Sequence, residues 1–169
     1  MDSQKNHLDV RRLRAGDARR YRGVLIEALI VHPDSFLGDY RAEIGRPLSE
    51  IEKELEGNGT FGAWFGAVLV GIGSAVPFSG SKRRHCGTVR NLYVKEKFRR
   101  SGVGGLLLHE ILLYASKQVV HLETQIPSSR ENVVRLFEQF GFRMCGLLPS
   151  AVRIGPEEID VWMMSRQLP

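Results

Sequence analysis

Between a strong strand candidate and the most apolar helix candidate runs the segment Val94-Lys95-Glu96-Lys97-Phe98-Arg99-Arg100-Ser101-Gly102-Val103-Gly104-Gly105. Three glycines in four residues let the backbone come close to a ligand. A helix beginning there aims unpaired N–H groups and its positive dipole end into the turn. Such a turn binds anions, most naturally phosphate. Arg99 and Arg100 add permanent charge with forked donors suited to phosphate oxygens. Spacing excludes two other phosphate turns: the dinucleotide fingerprint needs Gly-x-Gly-x-x-Gly opening the first βαβ unit, and the P-loop needs a lysine that is missing here. A turn that only packs helix on strand is the plainer alternative, and the arginine pair set between strand and glycines argues against it.

The elements that must position this turn follow from periodicity. Val10 to Leu13 predicts a first strand, and Asp17 is a candidate N-cap for the next helix. In that helix Tyr21, Val24, Leu25, Ala28 and Leu29 form one buried face, and Pro33 stops the pattern. An irregular acidic and aromatic stretch with Asp34, Phe36, Asp39, Tyr40 and Glu43 comes next. Ser49 with Glu52 then predicts a capping box for a short helix carrying Ile51 and Leu55 and ending at Gly57. Thr60 to Val76 reads as two antiparallel strands joined near Gly66, followed by a loop from Pro77 to Arg84. Cys86 to Val94 is the next strand, with period two expected throughout, so that Val89, Asn91 and Tyr93 share a face. After Gly102 a helix to about Ser116 buries Leu107, Leu108, Ile111, Leu112 and Ala115. Val119 to Ile126 is a strand. Ser128 with Glu131 caps a helix through Phe140 that Gly141 closes, and strands near Phe142 to Leu148 and Ile159 to Ser165 finish the chain. This order predicts an α/β fold: one mixed sheet of about six to seven strands, flanked by four helices. The strands on either side of the Gly102 helix must run parallel if a right-handed crossover joins them.

Composition bounds the rest. A chain of 169 residues, 43% hydrophobic and 25% charged, predicts one globular domain over 1–169. No run approaches the roughly 20 apolar residues of a membrane span, and Met1 to His7 has no apolar stretch behind it, so a cytoplasmic protein is expected. Cys86 and Cys145 have neither disulfide nor zinc spacing, and both are expected to be small packing residues. The net charge of +5 favours an anionic ligand or partner. Lys82-Arg83-Arg84 lacks aromatic interleaving or a basic recognition helix, so charge alone speaks for nucleic acid, which is not the expected partner.

Val94, followed by Arg99-x-x-Gly102-x-Gly104, resembles the acetyl-coenzyme A signature of the GNAT superfamily, the Gcn5-related N-acetyltransferases. Leu136-Phe137-Glu138-Gln139-Phe140-Gly141-Phe142 is similar to a second landmark of that family, and the order of elements matches from end to end. The resemblance implies a GNAT-like acyl-CoA N-acyltransferase fold, mostly antiparallel, whose central parallel pair splays to admit pantetheine. It implies that backbone groups of Leu92, Tyr93 and Val94 hold the pantetheine arm. Arg99, Arg100, Ser101, Gly102, Val103, Gly104 and Gly105 would then cradle the phosphates of acetyl-CoA, the acyl donor. A primary amine of a small molecule or peptide would approach from the other side, between the Pro33 to Arg46 loop and the loop joining the last two strands.

Three positions depart from the family pattern. Phe137 stands where a tyrosine usually protonates the thiolate, Arg130 where an asparagine often contacts pantetheine with Asn132 nearby, and Gln125 where several members carry a glutamate base. Glu123, about 7 Å from Gln125 on the same strand face, is the expected base, acting through a water. His121 on that face, His85 and Glu27 are further candidates, and Asp160 would either meet the acceptor or cap a turn. Asp34, Asp39 and Glu43 hint at a cationic acceptor. A non-catalytic acyl-CoA-binding regulatory module is the alternative function, and pairing through an edge strand would offer a route to a homodimer. No metal site is expected.

Overall fold

The computed structural model describes residues 7–36, 38 and 40–169. Asp39 and the segment Met1 to Asn6, used above for the acceptor and for targeting, lie outside them. The strands are β1 (Leu8–Arg12), β2 (Gly59–Phe65), β3 (Val68–Pro77), β4 (Cys86–Val94), β5 (His121–Pro127), β6 (Arg143–Ile154) and β7 (Glu157–Gln167). They form one sheet in the order β1-β2-β3-β4-β5-β7-β6, and among the described residues only β4 and β5 run parallel. Seven strands is the upper end of the expected range.

The helices are α1 (Ala18–Val31), α2 (Tyr40–Gly45), α3 (Leu48–Gly57), α4 (Val103–Ala115) and α5 (Glu131–Gln139). Five helices replace the expected four. The addition is α2, none of whose side chains is buried, so no apolar period could announce it. Every apolar residue expected on the α1 and α4 faces is buried. Those faces define two cores on opposite sides of the sheet. Leu107, Leu108 and Ile111 of α4 and Phe137 of α5 pack with Phe61, Val70 and Val89, while Tyr21 and Leu25 of α1 and Ile51 and Leu55 of α3 pack with Trp64, Ile72 and Tyr93. α4 lies close on β3 because Gly73 has no side chain, and a Cβ there would sit 2.7 Å from Ile111.

The largest correction falls on β4. Ile72 pairs with Tyr93 and Ser74 with Arg90, so Gly73 alone faces both Asn91 and Leu92, and Asn91 adopts φ 57°. This is a β-bulge, and it shifts the phase of the strand. Val89, Leu92 and Val94 join the α4 core, whereas Tyr93 joins the α1 core, against the uninterrupted alternation expected.

The caps also differ. Asp17 forms no side-chain cap on α1. Its carboxylate takes two bonds of 2.9 Å from Arg11 and one of 3.0 Å from the Arg14 N–H, which closes a 3-10 turn over Ala15–Asp17. α3 begins after Pro47 and α5 after Arg130, each without a side-chain cap, so Ser49 lies inside its helix and Ser128 stops short. Cys86 is buried as expected, but Cys145 is exposed on β6, an edge strand with little covering it. No helix among the described residues is long and apolar enough to cross a membrane.

Candidate active site

β4 and β5 are joined by only three residue pairs, Cys86 with His121, Gly87 with Leu122 and Thr88 with Glu123. One more tie follows, Thr124 Oγ1 donating to the Val89 carbonyl at 3.1 Å, and then the strands part. β5 keeps its other edge satisfied by pairing with β7 along its whole length, so only its β4 side is freed. The gap is a cleft of about 640 Å³, lined by Arg90, Asn91 and Leu92 on one bank and Gln125, Ile126 and Pro127 on the other. Val133 and Phe137 of α5 also line it, as do Leu25, Glu43, Arg46 and Glu54 from the α1 to α3 layer.

The glycine turn leaves the end of β4. A 3-10 turn over Glu96–Phe98 is held by Ser101 Oγ donating to the Phe98 carbonyl at 2.7 Å. Arg100 and Gly102 have φ of 59° and 84°, which swing the chain into α4. No side chain caps that helix, so its first N–H groups are left for a ligand. Gly102 is required by its left-handed backbone, whereas at Gly104 a Cβ would make only an ordinary contact, 3.4 Å from Leu136. Ser101, Val103 and Gly105 take their expected places in the turn, and Arg100 is exposed beside it.

Arg99 is turned away from the phosphate turn it was expected to serve. Its Nε donates to the Val94 carbonyl at 2.8 Å, and Nη2 lies 2.8 Å from His32 Nε2. Arg130 reaches His32 from the other side, 3.2 Å from Nδ1, and grips Asp34 with bonds of 2.6 and 3.0 Å. His32 thus bridges the end of β4 and the start of α5. Burial, then the charges of Arg130 and Arg99, hold its pKa below the usual value, which favours the neutral ring. Burial opposes ionisation of Asp34, but the Arg130 bond and charge outweigh it and hold the carboxyl below its usual range.

The other candidates sort by their contacts. Glu123 lines the cleft with its carboxylate bonded to Arg83. Gln125 lines it too, whereas His121, His85 and Asn132 are not among its lining residues. Glu27 accepts from the Tyr93 hydroxyl at 2.9 Å and from Lys95 Nζ at 2.7 Å. Burial and that carboxylate push the Tyr93 phenol up to about 12, and its side chain packs among the α1 core while its backbone stays on β4. Asp160 accepts from the Ser150 N–H at 2.8 Å, across to β6 where its register with β7 shifts. Phe137 is 2% exposed and stacks edge-on against Phe142 with ring centroids 4.9 Å apart. Asp34 and Glu43, the described members of the acidic hint, are paired with Arg130 and Arg46. Residues missed from the sequence are Arg83, Arg46 and Glu54, whose pairings join positions distant along the chain or specified only by the fold. Among the described residues, no group of three His, Cys, Asp or Glu side chains could hold a metal.

Comparison with known proteins agrees with this architecture. No curated protein matches the sequence. Among solved structures, a GNAT-family acetyltransferase from Streptococcus pneumoniae superposes with a TM-score of 0.86 at 21% identity, covering 96% of this chain and 100% of that one. yncA from Salmonella typhimurium, solved with its cofactor acetyl-CoA, gives 0.83 at 19% identity over 96% and 95%. A phosphinothricin acetyltransferase from Sinorhizobium meliloti in complex with AcCoA gives 0.76 at 18% identity over 95% and 88%. These likenesses establish the fold. The model of the Acetyltransferase (GNAT) family matches residues 25–142, a span that holds the splayed pair, the glycine turn, α4 and α5. The chain therefore belongs to the GNAT acetyltransferase family, a family of acyltransferases.

Proposed function

We propose that the chain, as one domain over 1–169, transfers an acetyl group from acetyl-CoA to a primary amine by direct attack within a ternary complex. The observation that carries the reading is the parallel ladder that opens after Thr88 and Glu123, next to an uncapped glycine turn. Relatives of this fold hold acetyl-CoA. In this chain the N–H groups at Gly102 to Gly105, with Arg100 and Ser101 beside them, would receive the phosphates. Backbone groups of Leu92, Tyr93 and Val94 on the freed edge of β4 would pair with the pantetheine arm. Arg99 and Arg130 would act by fixing the mouth of the cleft through His32, with Asn132 on the outer turn of α5 and Phe137 as an apolar wall.

The acceptor nitrogen attacks the thioester carbonyl, a C–N bond forms, and the C–S bond breaks. The amine proton passes to Glu123 through water, and the departing thiolate takes a proton from solvent, since Phe137 has none to give. N–H groups of β4 stabilise the oxygen that gains charge, and holding both reactants in line supplies much of the rest. The test is thiol release from acetyl-CoA against a panel of amines, with Gly104→Glu as the blank. Release that needs an acceptor and vanishes in the blank supports the reading, and equal release by the blank sinks it.

A second reading, a non-catalytic acyl-CoA-binding regulatory module, is favoured by the missing hydroxyl at Phe137 and by the engagement of Glu123 with Arg83. Acetyl-CoA binding without turnover, converted to slow turnover by Phe137→Tyr, would select it.

A further inference from the structure

The charges lining the cleft are nearly all spent on one another. Arg46 holds Glu43 at 3.5 Å and also Glu54, Glu123 is bonded to Arg83, and Arg130 holds Asp34 at 2.6 Å. The guanidinium of Arg90 is different: Arg90 lines the cleft, is open to solvent there, and has no ion pair or hydrogen bond among the described residues. Strand alternation fixes which side it serves. Val89 packs into the α4 core, and Arg90, the next residue of β4 and still in regular register with Ser74, faces the other side, that of Tyr21 of α1. Arg90 therefore stands on the side of the sheet away from α4 and its phosphate turn. Tyr21 is fully buried there and its hydroxyl, though close to the Asn91 side chain, makes no hydrogen bond of good geometry. Burial and then Glu54 push that phenol up to about 12, so it is a proton-bearing donor at any ordinary pH.

Building on the acetyltransferase reading, we propose that the acceptor is an α-amino acid whose carboxylate is recognised by Arg90. A guanidinium fork matches a carboxylate with two parallel bonds. On the same side Glu43 and Glu54 share the single guanidinium of Arg46, which leaves an excess of negative charge suited to the amine end. An acceptor with an amine alone would leave Arg90 unanswered, and a polyamine would be repelled by it. The site is bipolar, as a zwitterion is. The acidic loop is a weaker guide to the acceptor, because its described carboxylates already have guanidinium partners.

The experiment compares common L-amino acids with their α-carboxamides, using wild type, Arg90→Ala and Arg90→Lys. It measures kcat/KM for thiol release and, separately, calorimetric binding to the CoA-loaded protein. Free acids are expected to exceed amides by about 10- to 100-fold in wild type. In Arg90→Ala the ratio should collapse toward one because KM for the acids rises, and Arg90→Lys should recover part of it. Equal use of acids and amides by wild type, or an equal loss on both in Arg90→Ala, overturns the proposal. If no acceptor releases thiol, the calorimetry still decides: Arg90-dependent binding of the free acids upholds recognition while sinking the catalytic reading, and binding without that preference sinks the proposal itself.

Discussion

The two halves of the site are built from different materials. The phosphate turn is a construction of backbone, with two positive φ angles and an uncapped helix start. The acceptor side is a construction of side chains, in which guanidinium and carboxylate groups from α2, α3, the β3–β4 loop and β5 hold one another. A backbone site needs particular residues in consecutive positions. A site made of paired side chains needs only that the fold bring them together, and many pairings satisfy that.

The sharpest break of this contrast is Gly104→Glu. Its Cβ fits at 3.4 Å from Leu136, so the melting temperature should hold, while a carboxylate in the anion site should weaken acetyl-CoA binding by at least about 100-fold in calorimetry. Unaltered affinity would mean that the phosphates sit elsewhere. In stability rather than affinity the largest loss is Phe137→Ala, which empties a position buried against Phe142 and should lower stability by about 3–5 kcal/mol in urea. Asn91→Val sharpens the role of the bulge. A β-branched residue at φ 57° should cost about 1–2 kcal/mol, whereas Asn91→Gly should be nearly neutral.

The smallest effect is in the mouth of the cleft, and it depends on pH. Asp34 has a depressed carboxyl, so its bond to Arg130 stabilises above the usual 3.8 and is lost as the pH falls through the lower folded value. Asp34→Asn should cost about 0.5–1 kcal/mol at neutral pH, the range of a partly exposed pair. His32 works with the same sign at a higher window. Its pKa is lowered by folding, so below about 6.5 the unfolded chain takes up the proton first and stability falls. His32→Gln should flatten that part of a stability-against-pH curve, and an unchanged slope would place the titrating group elsewhere.

What could be read in advance follows the same division. The faces of α1 and α4, the ends of β4 and the glycine turn are all written in consecutive residues, and each lies where its pattern puts it. α2 is invisible because it buries nothing. The β4 bulge rests on one residue, and its only local sign is that asparagine tolerates a left-handed backbone better than most. The pairs Lys95 with Glu27, Arg130 with Asp34 and Arg83 with Glu123 join residues 68, 96 and 40 positions apart, and no window on the chain contains both members. Arg99 shows the limit of a motif: its place in the signature is right, but its side chain answers to His32, a residue the motif does not include.

The central strands have a consequence for how the molecule comes apart. Because their side chains alternate between the two faces of the sheet, β4 anchors Val89, Leu92 and Val94 in one core and Tyr93 in the other, with no break in the chain between them. Neither layer of helices can peel off without loosening side chains that share a backbone with the opposite layer. The two cores should then open as a single cooperative unit, and the amides of β3 and β4 should exchange with solvent only when the whole sheet unfolds.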